Sequence, residues 1–349
     1  MNWASRDKSP VIFHIENNGY AISVPIEDQT AGGSVYKISA GYDNLARFNV
    51  DGTDFFETHL AFKKAVERAR RGKGPSLIQS DVVRLLPHSS SDDQRKYRSK
   101  DELEKDLKKD PIKRFEQQCT EGGIINMTEL EKIKTEIQQQ VDEDAAWAED
   151  QPHPDIITAF NHVYSDKNPE KSQEEKNISD KIVMVDAINH ALNEEMEHNE
   201  KMVIYGQDIA DPKGGVFTAT RGLSEKYGKE RVFNSPLAES SIIGTAVGMA
   251  VTGWKPVVEI QFGDYIWTGM AQIRNEVVTM RYRSNNEWTC PLVIRVPVGG
   301  YIHGSLFHSQ SIDGFFMHLP GIYIAYPSNA SDAKGLLKSA CRMDDPVMF

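Results

Sequence analysis

The first hundred residues alternate between short apolar runs and one longer helical pattern. Residues 11–15 (VIFHI) and 76–83 (SLIQSDVV) are apolar runs of strand length. Between them, the stretch 55–72 carries apolar side chains at helical spacing, namely Phe56, Leu60, Ala61 and Val66. It ends in basic residues before Gly72, as helices often do. A strand, a helix and a second strand in this order predict a parallel sheet.

From about residue 92 to 180 the pattern becomes charged and helical. A long helix is predicted with Thr128 as its candidate N-cap. Its apolar residues recur at helical spacing, at Leu130, Ile133, Ile137 and Val141. The polar run 165–177 has the composition of an interdomain linker. We interpret the charges of this region as a solvated surface without catalytic residues.

Strands and helices alternate again after residue 181. The predicted strands are 202–206, 256–262, 291–297, 322–327 and 346–349, and the predicted helices include 182–199, 238–253, 309–321 and 331–343. This alternation predicts a second parallel α/β sheet. Polar residues follow the strands of both sheets, so we expect a ligand site shared across the junction of the two units.

Composition narrows the classes of partner. The chain has 349 residues, 39% hydrophobic and 26% charged residues, a balance typical of soluble globular proteins. Its net charge of −11 argues against nucleic acid or an anionic membrane as partner. No apolar run approaches the roughly 20 residues that span a bilayer, and the first residues lack the apolar segment of a signal peptide. Cys119, Cys290 and Cys341 are widely spaced, which favours a reducing compartment.

Two stretches of the first unit carry candidate chemistry. In residues 14–23 (HIENNGYAIS), the amide oxygens of Asn17 and Asn18 are of the kind that bind Mg²⁺ or Ca²⁺, and Gly19 would permit a tight turn. An ordinary turn explains the same residues.

The second stretch, RLLPHSSSDD (84–93), follows a predicted strand. Arg84 could contact a phosphate, and His88 has a side chain suited to proton transfer. The serines and aspartates after His88 fit a surface turn equally well.

The second unit offers Glu239 and two histidines. Glu239 begins an apolar helix, either as a favourable charge at a helix N-terminus or as a buried carboxyl whose pKa is raised and which bonds a nitrogen heterocycle. Residues 301–311 (YIHGSLFHSQS) contain His303 and His308, of which we expect one to be structural. Residues 309–311 are expected to cap a helix in part, and the spacing of the histidines does not predict zinc.

Taken together, these stretches resemble the thiamine-diphosphate-dependent E1 component of 2-oxo acid dehydrogenase complexes, branched-chain type, with α and β subunits fused. NNGYAIS and HSSSDD…YRS resemble the α subunit, whereas VFNSPLAESSIIGTAVGMAVTG, EIQFGDYI and FHSQS resemble β. The resemblance implies an α/β fold of two thiamine-diphosphate-binding-type parallel-sheet domains joined by a helical, charged linker. It divides the chain into residues 1–100 (part of the diphosphate-binding domain), 101–180 (helical extension and linker) and 181–349 (pyrimidine-binding domain).

The resemblance also assigns roles to individual residues. Metal ligation would fall to the Asn18 side chain and the Tyr20 carbonyl, which would hold Mg²⁺. Arg84 would lie near the cofactor diphosphate. The pyrimidine end would be held by Glu239, Leu237 and Tyr265. Gln261 and Tyr265 would border the substrate, and His88 and His308 would be acid/base and orienting groups.

The implied reaction is oxidative decarboxylation of a branched-chain 2-oxo acid with acyl transfer to a lipoyl-bearing E2 acyltransferase. The alternatives are a pyruvate or acetoin dehydrogenase E1, and a non-catalytic E2-docking or dimerising module. The implied assembly is a dimer of fused chains. The implied location is the cytoplasm of a bacterium, or the mitochondrial matrix in a eukaryote. Ser89 matches a phosphorylated position of mitochondrial relatives.

The family's Gly-Asp-Gly stretch is not found before Asn17, and a domain expected after Phe349 is missing. We therefore expect the chain to be part of a longer enzyme and to be inactive by itself.

Overall fold

The computed structural model describes residues 1–167 and 181–349. The chain divides into two compact units, Met1–Pro152 and His153–Phe349. Residues 168–177 of the predicted linker lie outside the described residues, so that prediction stays open. Each unit is built on its own parallel sheet, which confirms the predicted α/β fold class.

The sheet of the first unit has the strand order β1-β5-β4, with all pairs parallel. The strands of this unit are β1 (Ile12–Asn17), β2 (Tyr20–Ala21), β3 (Val24–Pro25), β4 (Ala46–Asp51) and β5 (Ser76–Asp81). Strands β2 and β3 form a separate antiparallel hairpin. The register pairs Asn17 and Asp51 with Asp81, so three polar residues lie side by side at the carboxyl edge of the sheet.

The helices of the first unit are α1 (Asn2–Arg6), α2 (Ile26–Gln29), α3 (Val35–Ile38), α4 (Phe55–Arg70), α5 (Lys100–Leu107), α6 (Pro111–Glu121) and α7 (Met127–Glu149). Helix α4 begins after Asp54, whose side chain accepts a hydrogen bond from the Glu57 N–H, the usual role of an N-cap residue. Its buried face packs on the sheet in a small core that consists of Val50, Ala61, Ala65 and Ile78.

The sheet of the second unit has the order β10-β11-β9-β8-β6-β7, and its pairs are parallel. The strands are β6 (Met202–Gly206), β7 (Val232–Asn234), β8 (Lys255–Glu259), β9 (Val293–Arg295), β10 (Tyr323–Ile324) and β11 (Val347–Met348). The helices are α8 (Met184–His198), α9 (Leu223–Tyr227), α10 (Glu239–Val251), α11 (Met270–Gln272), α12 (Met280–Arg283), α13 (Asp313–Phe316) and α14 (Ala330–Arg342). One apolar cluster joins α8 and α14 to the central strands.

Three sequence expectations for the helices differ from the structure. Helix α7 is capped by Asn126 and not by Thr128, because Asn126 and Glu129 form a reciprocal capping box. The predicted helix 309–321 shrinks to Asp313–Phe316, whose N-cap is Ile312. Residues 309–311 therefore do not cap it, and the Ser309 hydroxyl instead accepts the Gly304 N–H at 2.9 Å.

The predicted strands 256–262 and 291–297 end earlier, at Glu259 and Arg295, because the chain turns into loops at the carboxyl edge. Within the described ranges, the structure contains no helix with the length and apolarity required to span a bilayer.

Candidate functional site

The Asn17–Tyr20 turn lies directly after strand β1. Asn17 Oδ1 accepts the Gly19 N–H at 3.1 Å, and Asn18 Oδ1 accepts the Tyr20 N–H at 3.0 Å. Gly19 has a φ of +81°, a conformation that glycine adopts at little cost. Residues Asn17–Tyr20 therefore do form an ordinary turn, as one of the two interpretations predicted. An amide oxygen has two lone pairs, so Asn18 can still offer one to a cation.

Asp81 organises the carboxyl edge of this sheet, although the sequence analysis did not single it out. Its carboxylate accepts hydrogen bonds from the side-chain amides of Asn17, Asn49 and Gln79, at 3.0, 3.1 and 3.0 Å. Gln79 is buried. The only sequence signal for Asp81 was its place at the end of an apolar strand.

Tyr20 extends from the same turn into a charged cluster. Its hydroxyl donates to Glu102 at 2.9 Å, and Glu102 accepts from Arg98 Nε at 2.8 Å. The Arg98 side chain is buried and also pairs with Asp106. Asn18, Tyr20 and these charged residues line one cavity of about 580 Å³ together with Asp81.

Arg84 and His88 have different surroundings. The Arg84 guanidinium donates to the Ile22 carbonyl and to the Tyr97 hydroxyl, both at 2.6 Å, and its centre lies 5.3 Å from the Tyr20 ring centroid. His88 is exposed in the following loop, where its backbone N–H donates to Asp92 at 2.9 Å. Arg84 thus lies beside the Tyr20 turn, whereas the His88 side chain is exposed in the loop that follows.

The first unit fits the groups that the resemblance implies. Arg84 Nε is buried and finds no hydrogen-bond partner among the described residues, and such an orphaned donor matches a phosphate oxygen. Oxygen donors such as the Asn18 amide suit a hard cation. We find that these donors fit a diphosphate and Mg²⁺.

In the second unit, Glu239 is the first residue of α10 and both of its carboxylate oxygens accept a hydrogen bond. Oε1 accepts from Gln207 Nε2 at 2.6 Å, and Oε2 accepts from the Thr268 hydroxyl at 2.8 Å. Of the two alternatives for Glu239, the buried carboxyl with a raised pKa is not the one that the structure favours. Burial alone would raise the pKa of Glu239, but its own backbone N–H, Thr268 and Gln207 stabilise the carboxylate and together lower it.

Gln261 lies next to this carboxylate through Gln207. The Gln207 side-chain oxygen accepts the Gln261 N–H at 3.0 Å, and the Gln261 amide donates to Asp208 at 2.7 Å. Gly206, directly before Gln207, lets the chain pass close to the Glu259 carbonyl oxygen. A Cβ at position 206 would lie only 2.2 Å from that oxygen. Gln207 and Asp208 follow strand β6 and were missed, although their position after a strand was a signal.

Tyr265 and His308 form a pair at the same edge. The Tyr265 hydroxyl and His308 Nε2 lie 2.8 Å apart, and His308 Nδ1 lies 3.3 Å from the Gly304 carbonyl. A carbonyl only accepts, so Nδ1 carries the proton of a neutral ring and Nε2 accepts from the tyrosine. Phe262 packs edge-on against His308, with ring centroids 4.6 Å apart.

The second unit therefore brings together most of the residues predicted for it. Thr268 links the Glu239 carboxylate to the segment that carries Tyr265, since its hydroxyl, which donates to Glu239, also lies 3.4 Å from the Tyr265 carbonyl. Leu237 is 72% exposed, and a pocket-lining role for it stays a prediction. The carboxyl group of Glu239 can form a hydrogen bond with a ring nitrogen and exchange a proton with it. This unit therefore fits the aminopyrimidine that the resemblance implies.

Two family models match the chain, one for each of the two compact units. Residues 1–157 match the family model of the dehydrogenase E1 component, and residues 180–349 match that of the transketolase pyrimidine binding domain. The solved split gene transketolase, described as an inactive β4 tetramer, aligns with 48% of this chain and 51% of its own at 24% identity and a TM-score of 0.38, too weak a similarity to support an argument.

Curated relatives match about half of this chain. The 2-oxoisovalerate dehydrogenase subunit beta of Bacillus subtilis is 51% identical over 165 residues, 47% of this chain and 50% of that protein. The pyruvate dehydrogenase E1 component subunit beta of the same organism is 44% identical over 168 residues, 48% of this chain and 51% of that protein.

The mitochondrial 2-oxoisovalerate dehydrogenase subunit beta 2 of Arabidopsis thaliana is 46% identical over 164 residues, 47% of this chain and 45% of that protein. The chain spans about half the length of the curated relatives it matches. Residues 1–157 are thus similar to the dehydrogenase E1 component and residues 180–349 to the transketolase pyrimidine binding domain, and the relatives named above are beta subunits of 2-oxo acid dehydrogenases.

Proposed function

We propose that this protein serves as the E1 component that decarboxylates a branched-chain 2-oxo acid and passes the acyl group to the lipoyl group of an E2 acyltransferase. The observation that supports this most is the arrangement of Glu239 beside the Tyr265–His308 pair at the carboxyl edge of the second sheet. Ligands of parallel α/β sheets bind at this edge. The proposed location follows the relatives: cytoplasm in bacteria, mitochondrial matrix in eukaryotes.

The residues of each unit have separate tasks in this proposal. When bound, thiamine diphosphate supplies the nucleophilic carbon and the electron sink of the reaction. Asn18 and Tyr20 hold Mg²⁺, and Arg84 binds the diphosphate. Leu237 borders the pyrimidine ring.

Glu239 holds a proton at the ring nitrogen of the pyrimidine. Gln261 and Tyr265 border the 2-oxo acid. His308 and His88 orient the substrate and exchange protons with it.

The branched-chain substrate is supported by the comparison of relatives. Identity is 51% to a 2-oxoisovalerate dehydrogenase subunit and 44% to a pyruvate dehydrogenase subunit of one organism. Pyruvate is the second candidate, because the pyruvate-type relatives match a similar share of the chain, 48%, at 44–45% identity.

Steady-state decarboxylation by the full-length gene product tests the proposal, with thiamine diphosphate, Mg²⁺ and an artificial electron acceptor. We expect a higher kcat/KM for 3-methyl-2-oxobutanoate than for pyruvate. Glu239→Gln should lower kcat by about 10²- to 10⁴-fold, the usual contribution of a positioned acid or base. Glu287→Gln, an exposed position in the same unit, is the matched control and should leave kcat unchanged.

Two results would contradict parts of the proposal. A higher kcat/KM for pyruvate would favour the second candidate. A folded full-length protein that decarboxylates neither acid would refute the enzymatic function and favour a docking or dimerising role.

A further inference from the structure

The side-chain amide of Gln207 is hydrogen-bonded at both its nitrogen and its oxygen. It is buried, with 1% of its surface exposed. Its amide nitrogen donates to Glu239 Oε1 at 2.6 Å, and its amide oxygen accepts the Gln261 N–H at 3.0 Å. Its backbone N–H also donates to the Glu259 carbonyl at 3.3 Å. A buried amide with both ends hydrogen-bonded has one preferred orientation, so its donor is aimed at Glu239.

Thr268 completes the arrangement from the opposite side of the carboxylate. Its hydroxyl donates to Glu239 Oε2 at 2.8 Å, and it lies in the segment Gly263–Gly269 that follows strand β8. Thr268 is exposed, so the site can lose its hydroxyl without a buried cavity. Two donors on two different loops thus hold the two oxygens of one carboxylate.

We propose that Gln207 and Thr268 are positioning residues that fix Glu239 as a carboxylate in a single orientation at the edge of the second sheet. The inference rests on the proposed function, because it concerns the carboxyl group that would contact the cofactor ring. A side chain of Glu239's length has several accessible rotamers. Hydrogen bonds to both oxygens remove that freedom before any ligand binds, which is the general requirement for a preorganised site.

The arrangement has a consequence for the proton of Glu239. Donors that bond the charged form favour it, whereas burial favours the neutral form. The elements that contact α10 or carry its donors bear several titratable side chains, namely Asp208, Lys255, Glu259, Asp264, Tyr265, Arg274 and Glu276, and His308 lies next to Tyr265. Asp208 bonds Gln261, and Tyr265 bonds His308. Gln207, Thr268 and the Glu239 backbone N–H, which donate to the Glu239 carboxylate, are uncharged, so removing one of them should destabilise the carboxylate directly.

Titration of Glu239 in the ligand-free chain tests this inference. The 349-residue protein would be labelled with ¹³Cδ-glutamate, and the resonance of Glu239 assigned from the spectrum of Glu239→Gln. Thr268→Val replaces the hydroxyl with a methyl group of similar size, and Gln207→Met removes the amide at similar length. Each should raise the pKa of Glu239 by about one pH unit, the effect of losing one hydrogen bond to a charged group. The double variant should raise it further.

The control is Thr252→Val, beyond the other end of α10, where the hydroxyl bonds only the backbone of its own helix. It should leave the pKa of Glu239 unchanged. A purely structural role for Thr268 or Gln207 would change thermal stability without moving this pKa, and an unchanged pKa in the folded variants would overturn the inference. If Gln207→Met fails to fold, Thr268→Val alone decides.

The readout is independent of the proposed function. A full-length protein without decarboxylase activity would refute the proposed function and leave the titration result standing. A normal enzyme whose Glu239 titrates alike in all variants would refute only the positioning roles.

Discussion

Glu239 and Lys255 lie in the same unit, and their surroundings lower both pKa values for different physical reasons. For Glu239, hydrogen bonds outweigh burial and stabilise the charged form. For Lys255, which is 6% exposed, burial lowers the pKa from 10.5 to about 8, although nearby acidic groups oppose the shift. Its ammonium donates to the Met343 carbonyl at 2.8 Å. Such contacts cannot be inferred from the residues adjacent in sequence.

Replacement of Lys255 by methionine should stabilise the protein near neutral pH. Below pH 8 the lysine is charged in both the folded and the unfolded chain, so the folded state bears the full cost of burying the charge. Between pH 8 and 10.5 the folded state loses its proton first, and the cost declines. The shift in pKa corresponds to at most about 3 kcal/mol.

Urea denaturation of the wild type and Lys255→Met at several pH values would measure this. The advantage of the variant in the free energy of unfolding should be constant below pH 8 and decrease between pH 8 and 10.5. Lys229→Met, at an exposed lysine, should show no such pH-dependent difference. A Lys255→Met advantage that grows with pH would contradict the prediction.

At the scale of secondary-structure elements, an ion pair joins the ends of the two central strands of the second sheet. Glu259 ends β8 and Arg295 ends β9, and the sheet register places them side by side. Both side chains are buried and they form a direct salt bridge. Glu259 also accepts the Val216 N–H at 3.4 Å, so the pair connects two strands and a loop close to the candidate site.

Removal of one partner of this pair should lower the free energy of unfolding more than removal of both charges. Arg295→Met leaves an unpaired buried carboxylate and should lower the free energy of unfolding by about 3–5 kcal/mol. Adding Glu259→Gln removes that charge, and the double variant should recover part of the loss.

Chemical denaturation of the single and double variants would measure the difference. Arg283→Met is the control, because Arg283 and Glu276 form an exposed pair and such pairs contribute about 0–1 kcal/mol. Equal stability of Arg295→Met and the double variant would show that the unpaired charge is not the cause.

At the scale of the whole molecule, the two units differ in the size of the core that the structure describes. The core of the second unit connects α8, α14 and the central strands, and includes Leu192, Ile204 and Leu337. The core described for the first unit is smaller: Val50, Ala61, Ala65 and Ile78 form one cluster with a few partly buried neighbours, and Leu77 and Cys119 are also buried. Buried apolar area is the main source of stability, so the first unit should be the less stable one.

Calorimetry should therefore resolve two thermal transitions, with the first unit unfolding at the lower temperature. Ile78→Ala should lower the first transition by at least about 5 °C, because large-to-small core substitutions cost about 2–5 kcal/mol. Leu192→Ala should lower the second transition. If Ile78→Ala shifted the upper transition instead, the assignment of the transitions would be wrong.

The sequence alone determined most of the strands and helices and the positions of most candidate residues, although strands β4 and β7 were missed. Apolar period and strand length depend on local residues, so strands such as Met202–Gly206 were predicted without error. Only the tertiary structure decided which side chains meet. Gln207, Thr268 and Asp81 acquire their partners across strand ends that are distant in sequence, and two of the donors to the Glu239 carboxylate, Gln207 and Thr268, lie outside its own helix. Hydrogen bonding between distant residues depends on which strands become neighbours in the sheet, and the residues of one strand alone do not specify its neighbours.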